Sequence, residues 1–228
     1  MTSRRGGTAV PHLSREHIEA RAEEVLRGFS PATLARPSRT PITEIVEQRV
    51  SGEGLIFDGT HDLGTTSDGR KILGVFEQQP RAIRVDVSLA NDDSRFRFTL
   101  AHEFGHLVLH SDLPIESDIG LERTIRDTEA HLASGPRELQ TARDWIEWQA
   151  NTFAASILMP GATIRKALVL VQQEHGIFNN QGRIILEDKR YSYQDLNRQV
   201  AALAGVYFVS RTAMQNRLTG LNVLIDRR

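Results

Sequence analysis

The sequence predicts an α+β fold, with a small antiparallel sheet early in the chain and a mainly helical later half. Apolar residues recur at helical spacing near the N-terminus and over most of the chain beyond residue 93, whereas β-prone runs broken by Asp-Gly pairs are confined to residues 54–87. At 228 residues, 39% hydrophobic and 25% charged, the composition is that of an ordinary folded protein and excludes disordered or low-complexity classes. That length suits one or two domains and encloses a core without disulfide or metal staples.

Residues 1–13 read as a flexible tail. Ser14 then caps a helix whose apolar positions Ile18, Ala22, Val25 and Leu26 share one face until Gly28. Pro31, Pro37 and Pro41 punctuate a linker, and Thr40-Pro41 has the form of an N-cap and first helical residue for a short helix carrying Ile42, Ile45 and Val46. Leu55 to Phe57, Lys71 to Phe76 and Ala82 to Val87 supply the strands, with Asp58-Gly59 and Asp68-Gly69 as turn signals. A strong helix follows to about His110, with Ser94 as its expected N-cap. The polar stretch 111–140 reads as an exposed excursion with a short helix around Leu121 to Leu132, because a bare loop of that length is unusual in a compact domain. A second strong helix spans Thr141 to Met159 and is ended by Pro160-Gly161; further helices are expected at Thr163 to His175, Tyr193 to Ala204 and Arg211 to Thr219.

Several function classes are excluded or weakened by composition alone. With no Cys, there is no disulfide framework, thiolate metal site or cysteine nucleophile, so any metal must be held by His and carboxylate. The formal net charge of -1 gives no global field for nucleic acid or anionic membrane, and the 25 Arg against 3 Lys form no basic block. No stretch approaches the roughly 18 apolar residues of a membrane span, and Arg4 and Arg5 are followed by no apolar leader. The expectation is a soluble, cytoplasmic protein.

The chemistry concentrates in His102-Glu103-Phe104-Gly105-His106. On a helix, H-E-x-x-H puts two imidazoles one turn apart on one face, able to share a tetrahedral zinc, with Glu103 beside them to take a proton from an activated water. Burying these groups among Phe96, Phe98, Leu100, Leu107 and Leu109 without partners would be costly, and a cation resolves that cost. Gly105 sacrifices helix propensity, for which close approach by another element is a return. His110 lies a further turn on; three positions spaced by four residues spread over roughly 12 Å, so it supports or orients the site rather than ligating the same ion. The third ligand has to come from elsewhere. In the second strong helix Glu147 and Asn151 are at i and i+4, so Glu147 can ligate while Asn151 accepts a hydrogen bond from the other nitrogen of a ligating histidine. Small Ala150, Ala154 and Ala155 allow the two helices to pack closely.

Two motifs in this order, Arg97-Phe98-Thr99-Leu100-Ala101-His102-Glu103-Phe104-Gly105-His106 with His110, then Glu147-x-x-Ala150-Asn151-x-Phe153-Ala154-Ala155-x-x-Leu158-Met159-Pro160, resemble the ImmA/IrrE family of metallo-endopeptidases. Weaker similarity extends over most of residues 14–222. The resemblance implies a zincin-like metallopeptidase domain over 14–176, in which the long spacing from His106 to Glu147 marks 111–140 as an insertion, with a C-terminal helical region over 177–228. It implies Zn2+ held by His102, His106 and Glu147, and Glu103 as the catalytic residue. The implied partner is a protein substrate, a helix-turn-helix transcriptional repressor whose cleavage derepresses stress or mobile-element genes. Gln149 stands where the family often has an acidic residue, a change expected to be without consequence because Gln149 is not the inferred ligand.

Leu203 to Leu218 also has the outline of a helix-turn-helix, with Arg211, Gln215 and Arg217 available on its second helix. A DNA-binding regulator with a non-catalytic metal site is therefore the rival reading, and a sensor that holds a repressor without cutting it is another. The near-neutral charge counts against DNA. His131, His175, Tyr191, Tyr193 and Tyr207 are all conceivable donors to a transition-state oxyanion, and manganese is an alternative ion for a two-His, one-carboxylate site.

Overall fold

The computed structural model describes residues 11–113, 124–128 and 141–228; the tail through residue 10 and most of the segment 111–140 lie outside these. Ser14 caps α1 (Arg15–Phe29) by accepting from the His17 amide at 3.2 Å, and Ile18, Ala22 and Leu26 are buried as their spacing predicts. Residues 11–13, read as part of the loose tail, are docked: the Pro11 carbonyl accepts from Gln149, and the His12 ring meets Trp145 edge-on at 4.4 Å.

Helix α2 (Ile42–Glu53) buries Ile42, Ile45 and Val46 and stops where Gly54 turns left-handed at φ +67°. Thr40 does not cap it. Its hydroxyl instead donates 2.9 Å to the carbonyl of Ile157, in the last turn of the later helix α4 (Ala142–Leu158), where carbonyls lack intrahelical partners.

Strands β1 (Ile56–Asp58), β2 (Ile72–Gln78), β3 (Arg81–Val85) and β4 (Thr124–Thr128) form one sheet in the order β1-β3-β2-β4. Pairing of β2 with β3 and with β4 is antiparallel, as expected of this sheet, but β1 joins β3 in parallel, Ile56 opposite Ala82. Both edges of β2 are taken, and β1 pairs with the outer edge of β3, which runs in its own direction. β4 replaces part of the short helix expected around Leu121 to Leu132; its β-branched Thr124, Ile125 and Thr128 suit a strand.

Helix α3 (Asp93–His110) starts two residues earlier than predicted, capped by Asp92, whose side chain accepts from the Arg95 amide at 3.2 Å in place of Ser94. Thr141 and Asp144 form a reciprocal capping box for α4. Beyond Pro160 come α5 (Gly161–Glu174), α6 (Arg190–Tyr207) and α7 (Arg211–Gly220), the last capped by Ser210. The C-terminal region, expected to be helical, also holds a two-stranded parallel pair, β5 (Ile184–Leu186) with β6 (Leu224–Asp226); three-residue strands are too short to announce themselves by alternation.

The core is one continuous apolar cluster running from Ile18 through Phe76, Phe104, Phe153 and Leu168 to Leu218 and Val223. Within it α3 is sandwiched between the sheet and α4, and α1 lies along α4. No single helix among the described residues is long and apolar enough to cross a membrane.

Candidate metal centre

The α3–α4 crossing is set by two small residues. A Cβ on Gly105 would sit 3.2 Å from the Ala150 carbonyl oxygen and 3.3 Å from its Cα, so the helices touch backbone to backbone at this point. Only glycine permits that approach, which accounts for a glycine in mid-helix. Ala150 and Ala154 are fully buried, and Ala155 is half-buried.

The crossing brings Glu147 of α4 onto the face of α3 that carries the two motif histidines. His102 Nε2 and His106 Nε2 are 3.0 Å apart, and Glu147 Oε2 lies 3.4 Å from the first and 3.7 Å from the second. Both imidazoles are fully buried and Glu147 is 9% exposed. Ligand atoms of the three residues all lie within 4.8 Å of one another.

Their surroundings decide what these atoms offer. Asn151 Oδ1 lies 3.0 Å from His102 Nδ1; an amide oxygen only accepts, so Nδ1 carries the proton and Nε2 presents a lone pair. On the other side His106 Nδ1 faces His110 Nδ1 at 3.0 Å, and His110 Nε2 faces Gln149 Oε1 at 3.1 Å. The Phe76 ring lies parallel to His106, with an interplanar angle of 8° and centroids 6.5 Å apart. Neither Glu147 oxygen receives a hydrogen bond among the described residues. Two imidazole nitrogens and a carboxylate thus converge from two helices on one buried point, a donor set that fits a divalent cation.

Burial first, then the neighbouring His106, pushes the His110 imidazole down to about 3, with the Gln149 hydrogen bond opposing the shift, so His110 is neutral at physiological pH.

Glu103 is fully buried on the sheet side of α3. A Cβ on Gly74 of β2 would collide with its carboxylate and lie 2.7 Å from Thr99 Cγ2. The strand backbone has therefore been stripped to hydrogen so that the carboxylate can lie against it. Gly74 was not among the predicted site residues, although an isolated glycine inside the β-prone run Ile72-Leu73-Gly74-Val75 is a signal for close approach. Gln149 was also missed. Far from being without consequence, it is fully buried, its oxygen on His110 and its amide nitrogen donating 2.8 Å to the Pro11 carbonyl.

The oxyanion candidates are committed elsewhere or lie outside the described residues. Tyr207 donates to Thr163 Oγ1 at 2.9 Å, Tyr193 accepts from Arg228, and His175 Nδ1 bonds its own helix at the Val171 carbonyl. Tyr191 is exposed, and His131 is not described. On α7, Arg211 and Gln215 are exposed, but Arg217 is turned inward. It donates to the Met159 carbonyl at 3.0 Å and to Glu19 at 2.7 Å, so it is unavailable to a DNA base.

A buried two-histidine, one-carboxylate group shared by crossing helices under a mixed sheet is the framework of a metal-dependent hydrolase. The chain belongs to the peptidase M78 family, the ImmA/IrrE peptidases: the model of the IrrE N-terminal-like domain matches residues 68–219, which contain both motif helices. No curated protein sequence matches the chain significantly.

Proposed function

We propose that this protein is a zinc-dependent endopeptidase that cleaves a helix-turn-helix transcriptional repressor in the cytoplasm. The reading rests on one observation above the others: His102 Nε2, His106 Nε2 and the Glu147 carboxylate, whose oxygens take no hydrogen bond from the described residues, meet within 4.8 Å of one another. Two nitrogens and one carboxylate at this separation suit zinc, and three protein ligands leave one coordination position open for catalysis. The family resemblance supports the choice of substrate.

When bound, zinc supplies Lewis acidity to a scissile carbonyl and lowers the pKa of water toward neutrality. The protein's own residues do the rest. Glu103, held against β2 at Gly74, takes a proton from the attacking water on a carboxylate oxygen as the C–O bond forms. It returns that proton to the leaving amine as the C–N bond breaks, so the carboxylate is regenerated. Asn151 holds His102 in the tautomer that offers Nε2.

The test is incubation of the zinc-loaded protein with the repressor encoded nearest to it. Mass analysis should find two discrete fragments, lost on chelation and lost in Glu103→Gln although that variant keeps its zinc. An intact repressor held in a stable complex would replace the protease with a sensor, and undiminished cleavage by Glu103→Gln would remove Glu103 from the chemistry.

A further inference from the structure

The buried chain Pro11–Gln149–His110–His106 has a direction that its two ends impose independently. At one end the Pro11 carbonyl can only accept, so the Gln149 amide nitrogen, 2.8 Å away, must face it. That fixes the amide oxygen on His110 Nε2, which must then carry a proton. A neutral imidazole with its proton on Nε2 has a lone pair on Nδ1, so the contact to His106 Nδ1 at 3.0 Å closes only if His106 donates. The proton of His106 is thereby held on Nδ1, and its Nε2 lone pair is turned toward His102 and Glu147. Reversing any one link would put a proton on His106 Nε2, inside the acceptor cluster.

From this geometry we infer that Gln149 is a positioning residue: acting through His110, it locks His106 in the metal-binding tautomer, while the Pro11 carbonyl only sets which end of its amide faces His110. His102 reaches the same state through its direct bond to Asn151, whereas His106 does so through two intermediaries, His110 on its own helix and Gln149 on α4. The inference rests on the metal-site reading of the preceding section for its purpose, but the proton order along the chain holds in the metal-free protein as well.

Imidazole nitrogen NMR of the full chain, with and without zinc, tests the proton order directly. His110 should be the Nε2–H tautomer in both states. Detection of His110 with its proton on Nδ1 in either state would overturn the inference. Zinc affinity by chelator competition tests the purpose. Gln149→Leu should bind zinc roughly 10–100-fold more weakly, the usual effect of losing an outer hydrogen-bond partner. Gln149→Glu, which still accepts from His110 but cannot donate to Pro11, should stay within about 3-fold of the parent. Equal affinity of Gln149→Leu and the parent contradicts the inference; so does a Gln149→Glu loss as large as that of Gln149→Leu. Failure of the parent itself to bind zinc would instead sink the metal-site reading while the metal-free spectrum still decides the proton order.

Discussion

The α3–α4 crossing and the C-terminal hairpin of α6 and α7 both bury polar side chains in the core, but they finish the task differently. In the hairpin region the buried groups largely satisfy one another. Tyr207 donates to Thr163, Gln172 donates to Gln199, and Arg217 spans from Glu19 to the Met159 carbonyl with two of its three nitrogens. At the crossing the outward-facing nitrogens are satisfied in the same way by Asn151 and His110, yet the Glu147 carboxylate takes no hydrogen bond from the described residues. A buried polar group that pairs within the chain serves the fold; a cluster whose pairing needs something from outside serves a ligand. That contrast separates two regions that a burial profile would treat alike.

The sharpest way to break the contrast is kinetic. Glu103→Gln should lower kcat by about 10²–10⁴-fold, the usual contribution of a positioned acid-base group, without loss of bound zinc, as measured by fragment appearance and metal analysis. No hairpin substitution should do this. Arg217→Met should cost about 1–3 kcal/mol in denaturant unfolding, because it strands the Met159 carbonyl and the partly exposed Glu19, while zinc affinity stays unchanged. A large drop in zinc affinity in that variant would show that the two regions are not separable. Gly105→Ala probes the crossing from the packing side. The gain of about 1 kcal/mol in helix propensity is opposed by a Cβ pressed on the Ala150 backbone, so net destabilisation and weaker zinc binding are expected together.

Acid titration supplies a control from a third buried group, Asp86. Its burial favours the neutral form, but hydrogen bonds from Ser88 and the Leu63 amide, together with Lys71, outweigh that and hold the carboxyl at about 2. A carboxyl depressed in the folded state stabilises above its unfolded value near 3.8 and loses that contribution as pH falls toward 2. Metal-free protein should therefore lose about 2 kcal/mol across that window through this group, and Asp86→Asn should flatten the slope there. The smallest effect is expected at Ser14→Ala, about 1 kcal/mol from loss of the α1 cap, with the metal centre untouched.

What was legible in the sequence follows the range of the interactions involved. The α1 cap and the paired faces His102/His106 and Glu147/Asn151 each depend on residues within one or two turns, and the 3.6-residue period projects them from sequence. Composition could not reveal that β1 enters parallel to β3, because that depends on which strand edges are left free. Thr40 has the chemistry of a cap, but Ile157, far along the chain, was the partner that claimed it. Gln149 looked inert since its neighbours in sequence say nothing of His110 or Pro11, which only the folded chain brings to its two ends. Gly74 was readable in principle as a glycine interrupting a strand, but its reason, Glu103, lies on a different element.

The central claim is that one ion joins α3 to α4. Zinc titration of metal-free protein, followed by thermal unfolding and repeated on Glu147→Ala, tests it most directly. The account predicts one zinc per chain and a melting temperature that climbs with free zinc, about 2.7 kcal/mol of added stability at 100 times Kd. In Glu147→Ala the affinity should fall by more than the roughly 10–100-fold that loss of an outer hydrogen-bond partner costs. Equal zinc binding by Glu147→Ala, or none by the parent, would contradict it.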